Sequence, residues 1–336
     1  MRNIISLIML LMLAACGHKE LCYIHPHTIS VNVVFDWEYA PDATPEGMCV
    51  CFYSLDNGGY HRFDFNDIKG GKVDLRVGKY RVLSYNNDTE CVHFRNTDSF
   101  DNHSVTTREG DVLEPMLGGS AAGYVPRASG VDDEKVVISP DMMWGCKVLD
   151  VEIEDEGITY ACATFDDNHE SDVEFVENDE HIITLYPHEL VCTYTYEVRN
   201  VKNMAYMQQM CGTISGMSGM LTLSTEELDI ESVTIPFESV KADDSTITGV
   251  FYTFGHHYDN AAAHKMVFYV IMNDGTKYCF KDSKQLDVTD QVDNAPNKRR
   301  VHIIIDGLDL PQPIDTGDGF IPSLDDWYVE ENDIIV

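Results

Sequence analysis

Apolar and polar residues alternate with a period of two along most of this chain, starting at Ile29. Ile29-Ser30-Val31-Asn32-Val33-Val34-Phe35-Asp36-Trp37 predicts a strand with one buried face, because successive side chains on a strand point to opposite sides. Prolines and a glycine at 41–47 break the pattern. Residues 48–53 form a second alternating run, and Asp56-Asn57-Gly58-Gly59 turns it back as a hairpin. Runs at 60–65, 72–77 and 80–85 follow, separated by Gly70-Gly71 and Gly78-Lys79 and closed by Asn86-Asn87-Asp88. Strands recurring about every ten residues, with turn residues between them, predict an antiparallel sandwich.

A second series of the same style starts at Ile182-Ile183-Thr184-Leu185 and continues through Leu190-Val191-Cys192-Thr193-Tyr194-Thr195-Tyr196-Glu197-Val198. Further strands are predicted at 233–237, 246–254, 266–272, 277–280 and 301–305, with a hairpin turn at Asn273-Asp274-Gly275-Thr276 and a short helix at 204–210. Residues 109–130 are rich in glycine, alanine and proline and predict a loop. Residues 150–181 are strongly acidic yet contain alternating runs at 148–153 and 158–165. The pattern divides the chain into an N-terminal sandwich at 29–145, an acidic connector or hairpin at 146–181, and a C-terminal sandwich at 182–330. The two halves share no strict sequence repeat.

The first residues follow another rule. Arg2 precedes a short apolar run that ends in Leu13-Ala14-Ala15-Cys16. A basic start, a brief apolar stretch and small residues at a cleavage site are the signature of a secretory signal peptide. The stretch is too short to span a bilayer, which takes roughly 20 apolar residues. The cysteine directly after the small residues resembles the bacterial lipobox. This predicts a signal peptide at 1–15, cleavage between Ala15 and Cys16, and lipid attachment, including palmitate, at Cys16. Residues 16–28 then form a lipidated tether. One acyl chain holds a protein weakly, whereas several chains together give stable retention.

Charge narrows the partners. The 336-residue chain has 23 Lys and Arg against 57 Asp and Glu, a net charge of −34. Such a body is repelled by nucleic acid and by anionic lipid surfaces, so its membrane contact is expected only through the N-terminal lipid. Lipidation of Cys16 leaves nine of the ten cysteines, an odd number. Cys49 and Cys51, two apart on a strand, point to one face. Cys146, Cys162, Cys192 and Cys279 lie in strand-like runs and read as small core residues, so few disulfides are expected.

Catalytic chemistry has little to stand on. His256-His257-Tyr258-Asp259 invites a metal reading, but adjacent strand histidines diverge and no third ligand is near in sequence. His25 and His27 flank a proline in the tether. Gly212-Thr213-Ile214-Ser215-Gly216 resembles a nucleophile elbow only in outline, since its spacing is G-x-x-S-G, and reads as a glycine-rich strand edge or bend. Carboxylate pairs are too numerous to signify, and no phosphate or dinucleotide loop is present. No catalytic residue, cofactor or metal is therefore expected. Asn87 and Asn102 match an N-glycosylation pattern without meaning in a bacterial lipoprotein, and Asp244-Ser245-Thr246 resembles an O-glycosylation motif. Trp37 reads as core, while Trp144 and Trp327 leave an aromatic sugar platform open.

Several stretches resemble the uncharacterised lipoproteins related to FimB-type fimbrial anchors of anaerobic diderm bacteria. They are the lipobox, the tether with Cys22, Val33-Val34-Phe35-Asp36-Trp37, Pro45-Glu46-Gly47-Met48, Phe52-Tyr53, Gly70-Gly71, Gly78-Lys79-Tyr80 and Tyr85-Asn86-Asn87-Asp88-Thr89-Glu90. Ser215-Gly216-Met217-Ser218-Gly219 resembles a fimbrillin-type bend. Asp287-Val288-Thr289-Asp290-Gln291-Val292 and Ile321-Pro322-Ser323-Leu324-Asp325-Asp326-Trp327 resemble the closing strand and tail. The resemblance implies two tandem transthyretin-like, fimbrillin-type sandwiches. It also implies a lipid-anchored location on the outer membrane and cell surface. The implied role is non-enzymatic: anchor or accessory subunit of a type V-like fimbria, joined to a fimbrial subunit by β-strand complementation. A surface module binding glycan or protein is the alternative. Pilin precursors of the family are cleaved after an arginine; Arg127 lies in a loop but lacks the context for it.

Overall fold

The computed structural model describes residues 28–117, 124–165, 171–312 and 327–330. The molecule consists of all-β sandwiches, and fourteen strands carry the plan. The first sandwich contains β1 (Thr28–Phe35), β2 (Met48–Ser54), β3 (Tyr60–Phe65), β4 (Gly70–Arg76), β5 (Gly78–Asn86), β6 (Trp144–Ile153) and β7 (Ile182–Leu185). The second contains β8 (Cys192–Lys202), β9 (Met207–Ser218), β10 (Ser232–Glu238), β11 (Ile247–Thr253), β12 (Met266–Met272), β13 (Lys277–Phe280) and β14 (Arg300–Asp309).

The two sets pair identically. In the first, β1 lies between β4 and β7, and β2 lies between β3 and β5, with β6 beyond β5. In the second, β8 lies between β11 and β14, and β9 lies between β10 and β12, with β13 beyond β12. Within each set one pairing is parallel, that of first strand with last: β1 with β7, and β8 with β14. The others are antiparallel. This is the strand order of a transthyretin-like sandwich, used twice. The repeat lives in topology, not in sequence.

Ile182–Leu185 is thus a strand of the first sandwich, in register with residues 32–35 of β1. The acidic stretch therefore lies inside the first sandwich, between β6 and β7, where Ile158–Phe165 and Ser171–Asn178 form a hairpin that extends the large sheet beyond β6.

Each sandwich has its own core. Val31, Val33 and Phe35 of β1 face Met48, Val50 and Phe52 of β2 in the first. Tyr194, Tyr196, Phe237, Phe251 and Phe268 fill the second, with Phe237 stacked on Phe251 at 4.6 Å. Two more apolar layers join the sandwiches. The outward face of β2 (Cys49, Cys51, Tyr53) meets Leu83 and Tyr85, then Leu190 and Val191 at the junction, then Leu221, Leu223 and Phe254 of the second half. A small sheet of Val92–Arg95, Ser104–Thr107 and Met220–Thr222 closes this layer. The long connection between β5 and β6 also crosses onto the second sandwich. There Val112, Leu113, Ala128 and Val131 cover Cys211, Val267, Tyr269 and Cys279.

An ion cluster sits at the same junction. Glu226 accepts contacts from His188 Nε2 at 3.2 Å, Arg299 Nη2 at 3.1 Å and Lys147 Nζ at 3.4 Å. Arg300 and Glu189 pair beside it at 2.7 Å. Burial alone would push the Glu226 carboxyl up, but His188, Lys147 and Arg299 outweigh it and hold the pKa at about 2. A folded pKa below the unfolded one contributes stability that is full above about pH 4.5 and is lost as pH falls towards about 2. Glu226→Ala leaves the Lys147 and Arg299 cations facing one another beside His188. It is expected to cost about 3 kcal/mol in urea unfolding at pH 7, with the difference from the parent chain shrinking between pH 4.5 and 2.

Candidate functional site

The large sheet of the second sandwich ends in two short additions drawn from elsewhere in the chain. At one edge, Lys135–Val136 pairs in parallel with Val233 and Thr234 of β10. Arg127 fixes this cap. Its Nη1 donates to the carbonyls of Asp132 (3.0 Å) and Glu134 (2.7 Å), and its Nη2 donates to Thr234 Oγ1 at 2.7 Å. Tyr269 Oη donates to Pro126 O at 2.7 Å, and Ser129 donates through N and Oγ to Asp282. Ala128 is buried. The Arg127–Ala128 bond is therefore held against the sheet as a structural clamp.

The other edge is β13. Tyr278, Cys279 and Phe280 pair in parallel with Tyr328, Val329 and Glu330, the last described residues, and Lys281 N donates to Glu330 O at 3.2 Å. The cap is held at its start by Trp327, whose ring meets Tyr269 edge-on at 5.4 Å and lies under the Lys277 ammonium at 5.9 Å. Tyr328 leans on Tyr278 at 5.5 Å. Even so, Tyr328 and Val329 are 49% and 42% exposed, against 9% or less for residues 278–280 beneath them. Among the described residues three of the cap pair with β13, and a backbone hydrogen bond contributes only about 0.5–1.5 kcal/mol net. Three of the four residues of β13 are thus paired on this side with extended chain drawn from elsewhere in the sequence.

The residues singled out by the sequence fall in different places. Ala15 and Cys16, the expected cleavage and lipid sites, and His25 lie outside the described residues, as does His27. The glycine-rich Gly212-Thr213-Ile214-Ser215-Gly216 is neither an edge nor a nucleophile elbow. It runs through central strand β9, where a bulge between Ile214 and Met217 and a positive φ at Gly216 bend the strand, and Ser215 Oγ donates to Ala263 O. Trp37 packs beside Phe35 and donates to Ile68 O at 2.9 Å. Ser245 is exposed in a turn capped by Asp243. Cys49, Cys51, Cys91, Cys192 and Cys211 carry free thiols.

Two groupings escape a reading by sequence spacing. The first is a buried polar chain in the layer between sandwiches: Tyr53 Oη lies 2.7 Å from His103 Nδ1, and Tyr85 Oη bridges His103 Nε2 and Cys51 Sγ. Burial, aided by Arg62, pushes the His103 pKa down to about 4, so this ring is neutral at pH 7. The second gathers His256, His264 and Asp293, whose ligand atoms all lie within 4.8 Å of one another. His257 instead stacks on exposed Tyr258. His264 and Asp293 are 8 and 37 positions beyond His256, so the adjacent-histidine motif gave no hint of them.

The family profile described as Domain of unknown function (DUF5119) matches residues 15–238. A candidate fimbrium anchoring subunit of Bacteroides ovatus, Fim4B, is 25% identical over 248 residues, 73% of this chain and 62% of that protein. The chain thus spans less than two thirds of that relative's length. The crystal structure of a candidate adhesin from Bacteroides ovatus superposes with a TM-score of 0.56 at 20% identity, covering 84% of this chain and 93% of the other, and shares the fold. The fimbrial anchor protein Mfa2 from Porphyromonas gingivalis gives a TM-score of 0.43 at 13% identity over 84% and 90% of the two chains. The resemblance to fimbrial-anchor proteins read from the sequence is borne out at the level of the relative matched.

Two outcomes follow for the capped edges. Trp327→Ala removes the ring that holds the β13 cap, and exchange of the Lys281 amide is expected to speed up about tenfold, as a loss near 1.4 kcal/mol would give. Trypsin is expected to leave the Arg127–Ala128 bond of the native chain intact while cutting it in urea, as read by mass spectrometry of the fragments.

Proposed function

This chain belongs to the DUF5119 family, and from that premise we propose that it is a non-enzymatic lipoprotein of the outer-membrane surface that anchors a fimbria or joins it as an accessory subunit. Acyl chains on Cys16 hold one end in the membrane. At the other end, a strand from a fimbrial subunit takes the place of Trp327–Glu330 on β13 and completes the large sheet of the second sandwich. The observation that carries this reading is the parallel pairing on β13 of a segment from far along the chain, in which Tyr328 and Val329 stay exposed. The relation to Fim4B supports the fimbrial partner over other strand donors.

The architecture suits an anchor. The tether enters at β1, which is bonded on both sides, by β4 and β7. Tension along β1 loads those two ladders together, in shear, instead of opening one bond at a time. The load then passes through the apolar layer and the Glu226 cluster to the second sandwich.

Two substitutions test the two ends. Cys16→Ser is expected to release the protein from the membrane fraction. A photo-crosslinking residue at Lys277, beside the β13 edge, is expected to capture a fimbrial subunit on intact cells, while the same residue at exposed Lys72 of β4 captures none. Adducts lacking any fimbrial protein at Lys277 would overturn the proposal.

A further inference from the structure

Two connections meet the bend of β9 at one end of the second sandwich. Residues 254–264 lead from β11 to β12, and the short helix Thr289–Asp293 packs against them. The backbone fixes their positions: Ser218 N donates to Gly255 O at 2.8 Å, Val288 N to His264 O at 2.9 Å, and His264 N to Thr289 Oγ1 at 2.9 Å. Gly216 leaves the space that His264 fills, for a Cβ there would lie 2.8 Å from His264 Nδ1.

His264 is 2% exposed, and its Nδ1 lies 3.2 Å from the carbonyl oxygen of Ser215. A carbonyl can only accept, so Nδ1 carries the proton and Nε2 carries a lone pair. That lone pair faces Asp293 Oδ1 at 3.8 Å, and His256 Nε2 faces the same oxygen at 3.5 Å. The two rings sit 4.7 Å apart, inclined at 64°. Burial lowers the pKa of both imidazoles, and Lys298 adds to that effect while Asp293 opposes it.

We propose that His256, His264 and Asp293 form a binding site for a zinc-class divalent ion. Two imidazoles and a carboxylate suit a first-row transition ion over Ca²⁺ or Mg²⁺, which take all-oxygen shells. Ligand bonds of about 2.0–2.2 Å place tetrahedral donor atoms about 3.3–3.6 Å apart, close to the spacing from each histidine to Asp293. The Nδ1–H of His264 on Ser215 O is the outer-shell bond that orients such a ligand. Asp293, with a side chain 51% exposed, opens the site to solvent and leaves a fourth position for water or a partner's donor atom. The bound ion joins residues 254–264 to the helix at 289–293, beside the junction between sandwiches. This assignment stands apart from the fimbrial role.

Calorimetric titration of Zn²⁺ into the full chain in detergent, purified without a histidine tag and stripped with chelator, tests it. One Zn²⁺ per chain is expected, with a melting temperature that rises with Zn²⁺ concentration and visible bands of low-symmetry Co²⁺ when cobalt is used instead. His256→Gln and Asp293→Asn, both at solvent-accessible positions, are each expected to weaken binding on the order of 100-fold, at the upper end of what altering an outer-shell partner does. Absence of saturable Zn²⁺ binding in the folded parent chain, or binding unchanged in both variants, would overturn the assignment.

Discussion

The apolar layer between the two sandwiches positions everything beyond the first of them. Strand β2 is buried on both faces because Met48, Val50 and Phe52 serve its own core while Cys49, Cys51 and Tyr53 serve the shared one. Contributions from Leu190, Leu221 and Phe254 make that second face common property of both halves. The crossing segment adds a further shared layer over Tyr269 and Cys279. Burying an apolar side chain of this size is worth about 1.5–3 kcal/mol, and the layers contain more than a dozen of them. The two halves are therefore one mechanical body, as the proposed anchoring role requires.

The same layer explains its polar content. His103 is wholly buried there, a costly place for an imidazole unless its nitrogens find partners. Tyr53 and Tyr85 supply them, and Cys51 extends the chain from Tyr85. Outside the layer, Glu226 gathers cationic partners from both halves, from Lys147 in β6 to Arg299 just before β14. Apolar contact sets the strength of the junction, and these directional bonds set its register.

Strand positions were legible because a half-buried strand must alternate, and nearly every predicted run is a strand. Pairing was less so. Alternation identifies Ile182–Leu185 as a strand but carries no information about its partner, here β1 at a distance of about 150 residues in sequence. The topological repeat was hidden for the same reason, since it is a pattern of partners. The 109–130 stretch read as a loop because its apolar residues have no period. Its described residues Val112, Leu113 and Ala128 nonetheless cover a sheet face, placed there by the route of the chain. His256 was visible as a candidate, but its companions come from other loops, and no spacing rule spans such gaps. The resemblance to a lipobox at Leu13-Ala14-Ala15-Cys16, by contrast, lies in four adjacent residues, so it is plain in sequence.

The central claim is that the β13 edge is a docking position whose own cap gives way to another chain. Structure determination of the native assembly, extracted with its fimbria from the outer membrane, tests this most directly. The account predicts a strand of the neighbouring subunit bonded along Lys277–Phe280, with Trp327 withdrawn from Tyr269. A neighbour seated elsewhere, with Tyr328–Glu330 still paired to β13, would contradict it.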